Sequence, residues 1–371
     1  MNTTRETDEK ALAKKLEELL SGVNWLHDWR VQTVGGGAKD PGFDLLATIP
    51  LPKGGKAALC VECKKHLSPS VFQMLAGRVY TPAGRPDVVV RAVAAPWISP
   101  RVAELCAEHG WSWFDLAGNY HLDVPGVLQI RHTGNAPAHK PPRPKANLGT
   151  AEAGRVIRAL LLPEHAGMRW TQRAMQTHCL PISLGLVNKV VQHLREEAFV
   201  EVGEDGGFSL RDPLKLLFTW REAYRFDRHE RRNYFTLLTG KKLKDALSKL
   251  DAHSGGCAAY AAFSAADYLA PNVRQPKTWL FVSAREIAKF EQLTEAKQVD
   301  SGENLAALIP YDDGVFYQSD CDAQDGMRLP CTNSVQTYVD LCHCGGRGEE
   351  AAEALLNQRI KPDWKKHGLN T

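Results

Sequence analysis

In residues 1–131, segments whose apolar residues have helical spacing alternate with short apolar runs typical of strands. Leu12, Leu16 and Leu20 lie one helical turn apart and predict an amphipathic helix over 5–21. The runs FDLLATIP and KAALCVECKK are short and apolar, and the Pro/Gly turn between them is typical of a β-hairpin. Further helical and strand patterns alternate as far as WSWFDLAGNYHLDV. This order predicts an α/β domain over 1–131, with a mixed sheet and helices on its faces.

A second pattern begins after residues 132–149, a Pro-rich and basic stretch that predicts an extended linker. The helical period returns in TAEAGRVIRALLL, and Thr171 and Ser183 are N-cap residues that open two more helices. FVEVGEDGGFSL then predicts two short strands around a Gly-rich tip. Helix, helix, turn, helix and hairpin form the order of a winged helix-turn-helix, which we predict over 150–225.

The remaining chain, 226–371, mixes strand and helix patterns and predicts a C-terminal α+β domain. The segment from Asp212 to Lys244 is predicted to be helical and is dense in arginine. These arginines form either a solvated face or a basic surface that extends a DNA footprint. They are Arg221, Arg225, Arg228, Arg231 and Arg232.

Composition limits the function classes. With 371 residues, the chain is long enough for two or three domains, in agreement with the multidomain α/β plus α pattern. A net charge of +3 means that any nucleic-acid surface must be local. The sequence lacks an apolar run of about 18 residues, so no membrane span is predicted. The charged N-terminus and nine scattered cysteines favour a cytoplasmic protein with reduced thiols.

Three residues of the predicted hairpin carry candidate catalytic chemistry. Side chains alternate along a strand, so Glu62 and Lys64 share a face, and the hairpin can bring Asp44 onto it. Two carboxylates and the Cys63 carbonyl suit Mg²⁺, and an ammonium group can position a water molecule. The alternative is a surface hairpin with a solvated ion pair.

This arrangement resembles the PD-(D/E)xK nuclease superfamily, with Asp44 as the first acid and Glu62-Cys63-Lys64 as the E-x-K string. Phe43 stands where the family has proline. The resemblance implies a restriction-endonuclease-like fold, metal ligation by Asp44, Glu62 and Cys63, and Gln73 as a peripheral site residue. An extra acid from the first helix, Glu17 or Glu18, is a further candidate.

The third helix of the predicted winged helix is the candidate DNA-reading element. Val187, Val190 and Leu194 give it one apolar face. Amide and ammonium side chains elsewhere on the helix can hydrogen-bond bases or phosphates, and an arginine on the preceding helix can contact phosphate. The alternative is a winged helix used only for protein docking, which the acidic Glu204 and Asp205 of the tip favour. The candidate DNA-binding residues are Arg173, Ser183, Asn188, Lys189 and Gln192.

Between about residues 85 and 358, the order of motifs resembles the AbiEi-type antitoxins of type IV toxin–antitoxin systems. The motifs are FDLAGNYHL, RWTQRAM, SLGLVNKVVQHL, GFSLRDPLKLLFTW, FSAADYLAP, SVQTYVDL and GGRGEEAAEALL. The resemblance implies a transcriptional repressor or antitoxin that binds double-stranded DNA and is encoded beside a nucleotidyltransferase-like toxin.

The sequence is also compatible with two other functions. A Mg²⁺-dependent DNA endonuclease could use Asp44, Glu62 and Lys64 and be targeted by the winged helix. A protein-interaction scaffold could hold a toxin or form a homodimer through the C-terminal domain.

Cysteines near the C-terminus could instead form a zinc site, although their spacing is irregular. They are Cys321, Cys331, Cys342 and Cys344, with His343 between the last two.

Overall fold

The computed structural model describes residues 2–34, 42–137, 146–251, 257–319 and 329–369. The chain divides into two compact units, Met1–Arg143 with Glu196–Ala198, and Pro144–Arg195 with Phe199–Thr371. The protein is of mixed α/β type, as the sequence predicted. Residues 138–145 of the predicted linker lie outside the described residues.

The first unit is built on a seven-stranded mixed sheet whose strands follow chain order. The β3–β4 and β4–β5 pairs are parallel, and the other neighbouring pairs are antiparallel. Its described helices are α1 (Asn2–Ser21), α2 (Pro69–Ala76) and α3 (Pro100–Glu108). Its strands are β1 (Arg30–Thr33), β2 (Leu45–Pro50), β3 (Lys56–Cys63), β4 (Val88–Ala95), β5 (Ser112–Asp115), β6 (Tyr120–Val124) and β7 (Leu128–His132).

Helices cover both faces of this sheet. Leu12, Leu16 and Leu20 of α1 are almost completely buried and share a core with Leu59 of β3. The alternate side chains of β3 point to the opposite face, where the core includes Phe72 of α2. Because neither face of β3 meets solvent, its apolar run is nearly continuous, as expected for a central strand.

The two helices on the second face, α2 and α3, begin with the same Ser-Pro sequence. Ser68 and Ser99 precede prolines, and their hydroxyls accept hydrogen bonds from the backbone N–H groups of Val71 and Val102. Serine at the N-cap satisfies an otherwise unpaired donor, and proline in the first turn loses no helical hydrogen bond. The Ser-Pro pairs therefore determine where α2 and α3 begin.

The second unit combines helices, a small hairpin and a five-stranded sheet of order β11-β12-β14-β10-β13. Only the β12–β14 pair of that sheet is parallel. The described helices are α4 (Ala151–Leu161), α5 (Gln172–His178), α6 (Leu184–Glu196), α7 (Pro213–Ala223), α8 (Gly240–Asp251), α9 (Ala262–Leu269), α10 (Ile287–Thr294), α11 (Ser334–His343), α12 (Gly348–Leu355) and α13 (Lys361–Lys366). The strands are β8 (Val200–Val202), β9 (Phe208–Leu210), β10 (Glu230–Phe235), β11 (Ala258–Tyr260), β12 (Thr278–Val282), β13 (Lys297–Gln298) and β14 (Leu305–Ile309).

The prediction of continuous helix from Asp212 to Lys244 is wrong. Helix α7 ends at Ala223, and Glu230–Phe235 is a strand paired with β14. Five of the six residues of β10 retain contact with solvent, and only Tyr234 is fully buried. The apolar alternation that identifies a strand is therefore missing from the sequence.

Most arginines of this segment are already paired. Arg228 stacks over the ring of Tyr311, 4.2 Å from its centroid. The other four contact carboxylates, in the pairs Arg221–Glu222, Arg225–Asp227, Arg231–Glu303 and Arg232–Glu230. Their charge is largely neutralised within the protein, which weakens the interpretation as an extended DNA footprint.

A buried polar network centres on Arg158 of α4, which is 1% exposed. Its Nε donates a 2.5 Å hydrogen bond to Oε1 of Gln336 on α11. Its Nη1 lies 3.7 Å from Oδ2 of Asp312, and Oδ1 of the same carboxylate accepts a hydrogen bond from Nε of Arg155 at 2.8 Å. The guanidinium stacks over the ring of Trp220 on α7. Arg158 therefore links α4 to α7, α11 and the segment after β14.

The network continues to Asp340, which is completely buried on α11. Its Oδ1 accepts hydrogen bonds of 2.8 Å from the Tyr224 hydroxyl and from Nε2 of Gln336. Nε2 of His229 lies 2.7 Å from the same hydroxyl. Burial raises the pKa of Asp340 to about 7. Burial, with repulsion from Arg158, lowers the pKa of His229 to about 3.

Candidate functional site

The β2–β3 hairpin brings the predicted nuclease-like residues to one end of two neighbouring strands. Leu45 pairs with Val61, and the Asp44 N–H donates to the Val61 carbonyl at 2.9 Å. Oδ2 of Asp44 accepts a 2.7 Å hydrogen bond from the Cys63 N–H. Nζ of Lys64 lies 2.6 Å from Oε1 of Glu62. The structure therefore places Asp44, Glu62 and Lys64 near one another.

Two further residues hold the carboxylate of Glu62, which is 3% exposed. Nη1 of Arg78 lies 2.9 Å from Oε1, the atom that Lys64 also contacts. The hydroxyl of Tyr80 donates a 2.7 Å hydrogen bond to Oε2. Burial, with the hydrogen bond to Glu62, raises the pKa of Tyr80 far above its usual range, so the hydroxyl keeps its proton. Both Glu62 oxygens are thus occupied by donors.

Mg²⁺ binding would require this arrangement to change. Mg²⁺ takes nearly octahedral coordination by oxygens. Here Oε1 of Glu62 contacts two cationic groups, which would have to move away for a metal ion to approach this oxygen. Within the described residues, no three His, Cys, Asp or Glu side chains form a group that could hold a metal ion. As arranged, Glu62 is the buried centre of an ionic cluster with Lys64 and Arg78, and Asp44 bonds the neighbouring Cys63 N–H.

Neither Gln73 nor the Cys63 side chain is among the described donors to the Glu62 carboxylate. Gln73 is half-buried on α2, outside the set of donors that reach Glu62. The Cys63 side chain points to the α1 face of the sheet, as alternation along β3 predicts. Burial raises the pKa of its thiol well above the usual range. The Cys63 side chain therefore belongs to the core, and the Cys63 N–H positions Asp44.

The acids of α1 that approach the hairpin are Asp8 and Glu9, where the sequence suggested Glu17 or Glu18. Asp8 and Glu9 line a pocket of about 290 Å³ together with Leu12, Cys63 and Lys64. Glu17 and Glu18 are exposed. Asp8 lies one turn before Leu12 and so extends the buried leucine stripe, a signal that was present in the sequence.

In the second unit, α6 divides into an apolar face and a polar one. Val187, Val190, Val191 and Leu194 are at most 4% exposed. Ser183, Lys189 and Gln192 are exposed, and Asn188 is half-buried. The Ser183 hydroxyl accepts a hydrogen bond from the Leu186 N–H and caps the helix, as predicted.

An amide chain links α5 to the polar face of α6. Oδ1 of Asn188 accepts hydrogen bonds from Nε2 of Gln172 at 3.1 Å and from Nε2 of Gln192 at 3.2 Å. Arg173 is exposed beside Gln172 on α5. His193, in contrast, is buried, so it is not part of the exposed face. Asn188 and Gln192 are thus held side by side before any ligand binds.

The hairpin after α6 is anchored to the segment before α5. Trp170 and Phe208 exchange backbone hydrogen bonds of 2.7 and 2.8 Å. Beside them, Arg169 forms an ion pair with Asp205 at the tip, which lowers the pKa of Asp205. A Cβ at Gly203 or Gly207 would displace the flexible Arg169 side chain from this position. The acidic tip is therefore partly neutralised by Arg169, which no sequence pattern connects with it.

Among the cysteines of the zinc alternative, Cys321 lies outside the described residues. Cys342 and Cys344 of this group are half-buried free thiols, and Cys331 is buried. None of the described helices has the length and apolar character needed to cross a lipid bilayer.

Comparisons of the chain with protein-family models, with characterised proteins and with solved structures found no match.

Proposed function

We propose that this protein is a sequence-specific double-stranded DNA-binding regulator whose α4–β9 segment acts as a winged helix-turn-helix. The observation that carries the proposal is the division of α6 into a buried valine face and an exposed polar face. Helix α5 precedes it, and a hairpin anchored by Trp170 and Phe208 follows it. Such a helix can enter the major groove while the hairpin lies beside it.

The side chains on α6 match the chemistry of the groove. Asn and Gln amides can pair with both N6 and N7 of adenine, and Lys bonds guanine or phosphate. The hydrogen bond between Asn188 and Gln192 holds two such amides side by side, and base contact through Oδ1 of Asn188 would replace the bonds that this oxygen now accepts. Arg173 on α5 and the Ser183 hydroxyl at the start of α6 are suited to phosphate contacts. We assign base reading to Asn188 and Gln192, and contacts to the DNA backbone to Arg173, Ser183 and Lys189.

Gln192→Ala and Lys189→Ala are expected to weaken DNA binding in different ways. Losing a bidentate amide removes about 1–3 kcal/mol of discrimination at one base pair. Losing a phosphate-contacting lysine weakens binding to all sequences and lowers the salt slope by about one. Fluorescence anisotropy with the upstream region of the protein's own gene, titrated at several salt concentrations, separates the two effects.

Lys365→Ala is the matched control, because Lys365 is an exposed lysine on α13 of the same unit. It should leave both the affinity and its salt dependence unchanged. Equal affinity for every duplex, or full affinity in a variant lacking both Lys189 and Gln192, contradicts the proposal.

We further propose that the biological role is repression of the protein's own operon as an antitoxin. The motif order that resembles AbiEi-type antitoxins supports this role. A nucleotidyltransferase-like toxin encoded nearby and a second copy of the chain are the expected partners, since winged-helix regulators commonly read paired half-sites as dimers.

The second candidate function, a Mg²⁺-dependent endonuclease, is favoured by the proximity of Asp44, Glu62 and Lys64. The donors on Glu62 oppose it. We therefore expect that supercoiled plasmid carrying the upstream region is bound and left uncut in Mg²⁺ or Mn²⁺. Asp44→Asn keeps an oxygen that can accept the Cys63 hydrogen bond and serves as the control. Metal-dependent nicking by the parent protein that disappears in Asp44→Asn would establish the nuclease instead.

A further inference from the structure

We propose that the first unit contains a binding pocket for a nucleobase, formed between α3 and the β5–β7 end of the sheet. The pocket has a volume of about 570 Å³, and its described lining comes from residues 97–137. This volume lies in the range of small-molecule sites, which are concave, mostly apolar and equipped with a few polar groups.

The floor of the pocket is a row of three side chains across three strands. Trp113 on β5 pairs with His121 on β6, and His121 pairs with Arg131 on β7. Residues paired across neighbouring strands project from the same face of a sheet. The row thus presents an indole, an imidazole and a guanidinium in succession, and all three side chains line the pocket.

Small residues on α3 create the space above this row. Ala103 and Ala107 lie one turn apart on the helix and both line the pocket. Larger side chains at these positions would fill the gap between α3 and Trp113. Trp97 lines the pocket as well, so that two indoles contribute to its walls.

The edge of the pocket is fixed by hydrogen bonds. Asp115 is fully buried and accepts hydrogen bonds from the N–H of Asn119 and from its Nδ2, both at 2.9 Å. Oδ1 of Asn119 accepts a 2.8 Å bond from the N–H of Asn135, and Nδ2 of Asn135 donates to the Ala117 carbonyl. This network, built from the FDLAGNY motif, holds the chain after β7 against the rim. The pocket is therefore preformed.

The floor also offers a polar group to a ligand. His121 is half-buried and lines the pocket, so its imidazole can bond the polar edge of a ligand. A nucleobase has such an edge, and its planar ring can stack on the half-buried indole of Trp97, which lines the pocket as well. The cation Arg131 and the carboxylate Glu104 are both exposed at the rim, which favours a neutral base over a phosphate.

The test is binding of adenosine, guanosine, cytidine and thymidine to the full chain, measured by saturation-transfer-difference NMR and calorimetry. A single-stranded DNA decamer forms a second arm, which distinguishes a free nucleoside from a base within a nucleic acid. We expect saturable binding in at least one arm. Ala103→Leu, which fills the pocket, and His121→Phe, which keeps the ring shape without its nitrogens, should each weaken it at least tenfold.

His132→Phe is the matched control, because His132 is the next residue on β7 after Arg131 and points to the other face. Its binding should equal that of the parent. If none of the ligands binds, or if folded His121→Phe and Ala103→Leu bind as the parent does, the pocket has no such role. Should Ala103→Leu fail to fold, His121→Phe decides the question. The pocket and its test are separate from DNA binding by α6.

Discussion

Replacing Arg158 with methionine is expected to lower the free energy of unfolding of the second unit by about 3–5 kcal/mol, the cost of breaking a buried charged pair. Methionine replaces only the aliphatic part of the side chain, so the loss includes the charge, the hydrogen bond and the stacking on Trp220. Gln336 loses its hydrogen bond to Nε, and Asp312 keeps only Arg155 as a cationic partner in the network. Urea unfolding followed by circular dichroism measures the change.

Arg347→Met provides the control for this experiment. Arg347 is an exposed arginine that pairs with Glu350 one turn along α12. Exposed pairs of this type contribute little to stability, so its unfolding curve should match that of the parent. If Arg158→Met also matched the parent, the network would be a consequence of folding with no measurable share in stability.

Asp340→Asn is expected to stabilise the protein at pH 8 by about 2–4 kcal/mol and to have little effect near pH 4. The folded chain holds a proton on Asp340 up to about pH 7, whereas the unfolded chain, with its ordinary pKa of 3.8, has released it. Ionisation of the buried carboxylate therefore destabilises the fold progressively as the pH rises from 4 to 7. Asparagine keeps an oxygen for Tyr224 and Gln336 and carries no charge.

His229 gives the opposite dependence, because its pKa falls from 6.5 to about 3 on folding. The unfolded chain takes up a proton below pH 6.5 that the folded chain refuses, so stability declines as the pH falls. In the parent the two slopes oppose each other between about pH 4 and 6.5. The asparagine variant should therefore lose stability on acidification more steeply than the parent.

Unfolding free energies at pH 5, 6.5 and 8 separate these contributions. Asp300→Asn, a change at an exposed aspartate, should follow the parent at every pH. A gain for Asp340→Asn that is the same at pH 5 and pH 8 would mean that Asp340 does not ionise in this range.

The sequence predicted the first unit well because its signals are local. Alternation in β3 assigned Glu62 and Cys63 to opposite faces, and the turn placed Asp44 beside Glu62. Arg78 and Tyr80 could not be predicted in the same way. They follow α2, outside any periodic segment, and reach Glu62 because α2 packs on the sheet. Tertiary packing, which no sequence pattern shows, thus added two donors to the three residues that the sequence had brought together.

In the second unit, too, local signals could be read from the sequence and tertiary contacts could not. The buried valines and the capping serine of α6 follow from period and residue type. Arg158 lies between Val156 and Leu160 and carries no sequence signal that it is buried, because its partners Asp312 and Gln336 are more than 150 residues away. The strand after Ala223 was predicted as helix because β10 exposes its arginines and lacks the alternation of buried and exposed residues that marks a strand.

The ion pair between Arg169 and Asp205 and the glycines at 203 and 207 share one space. A β-carbon at either glycine would displace the guanidinium, which is the end of a flexible, exposed side chain and can move. A side chain gained at 203 would therefore remove Arg169 from its place beside Asp205 at little cost to the fold, and the hairpin tip would regain its negative charge. A single substitution at a glycine can thus alter the charge of this tip without a change at either charged residue.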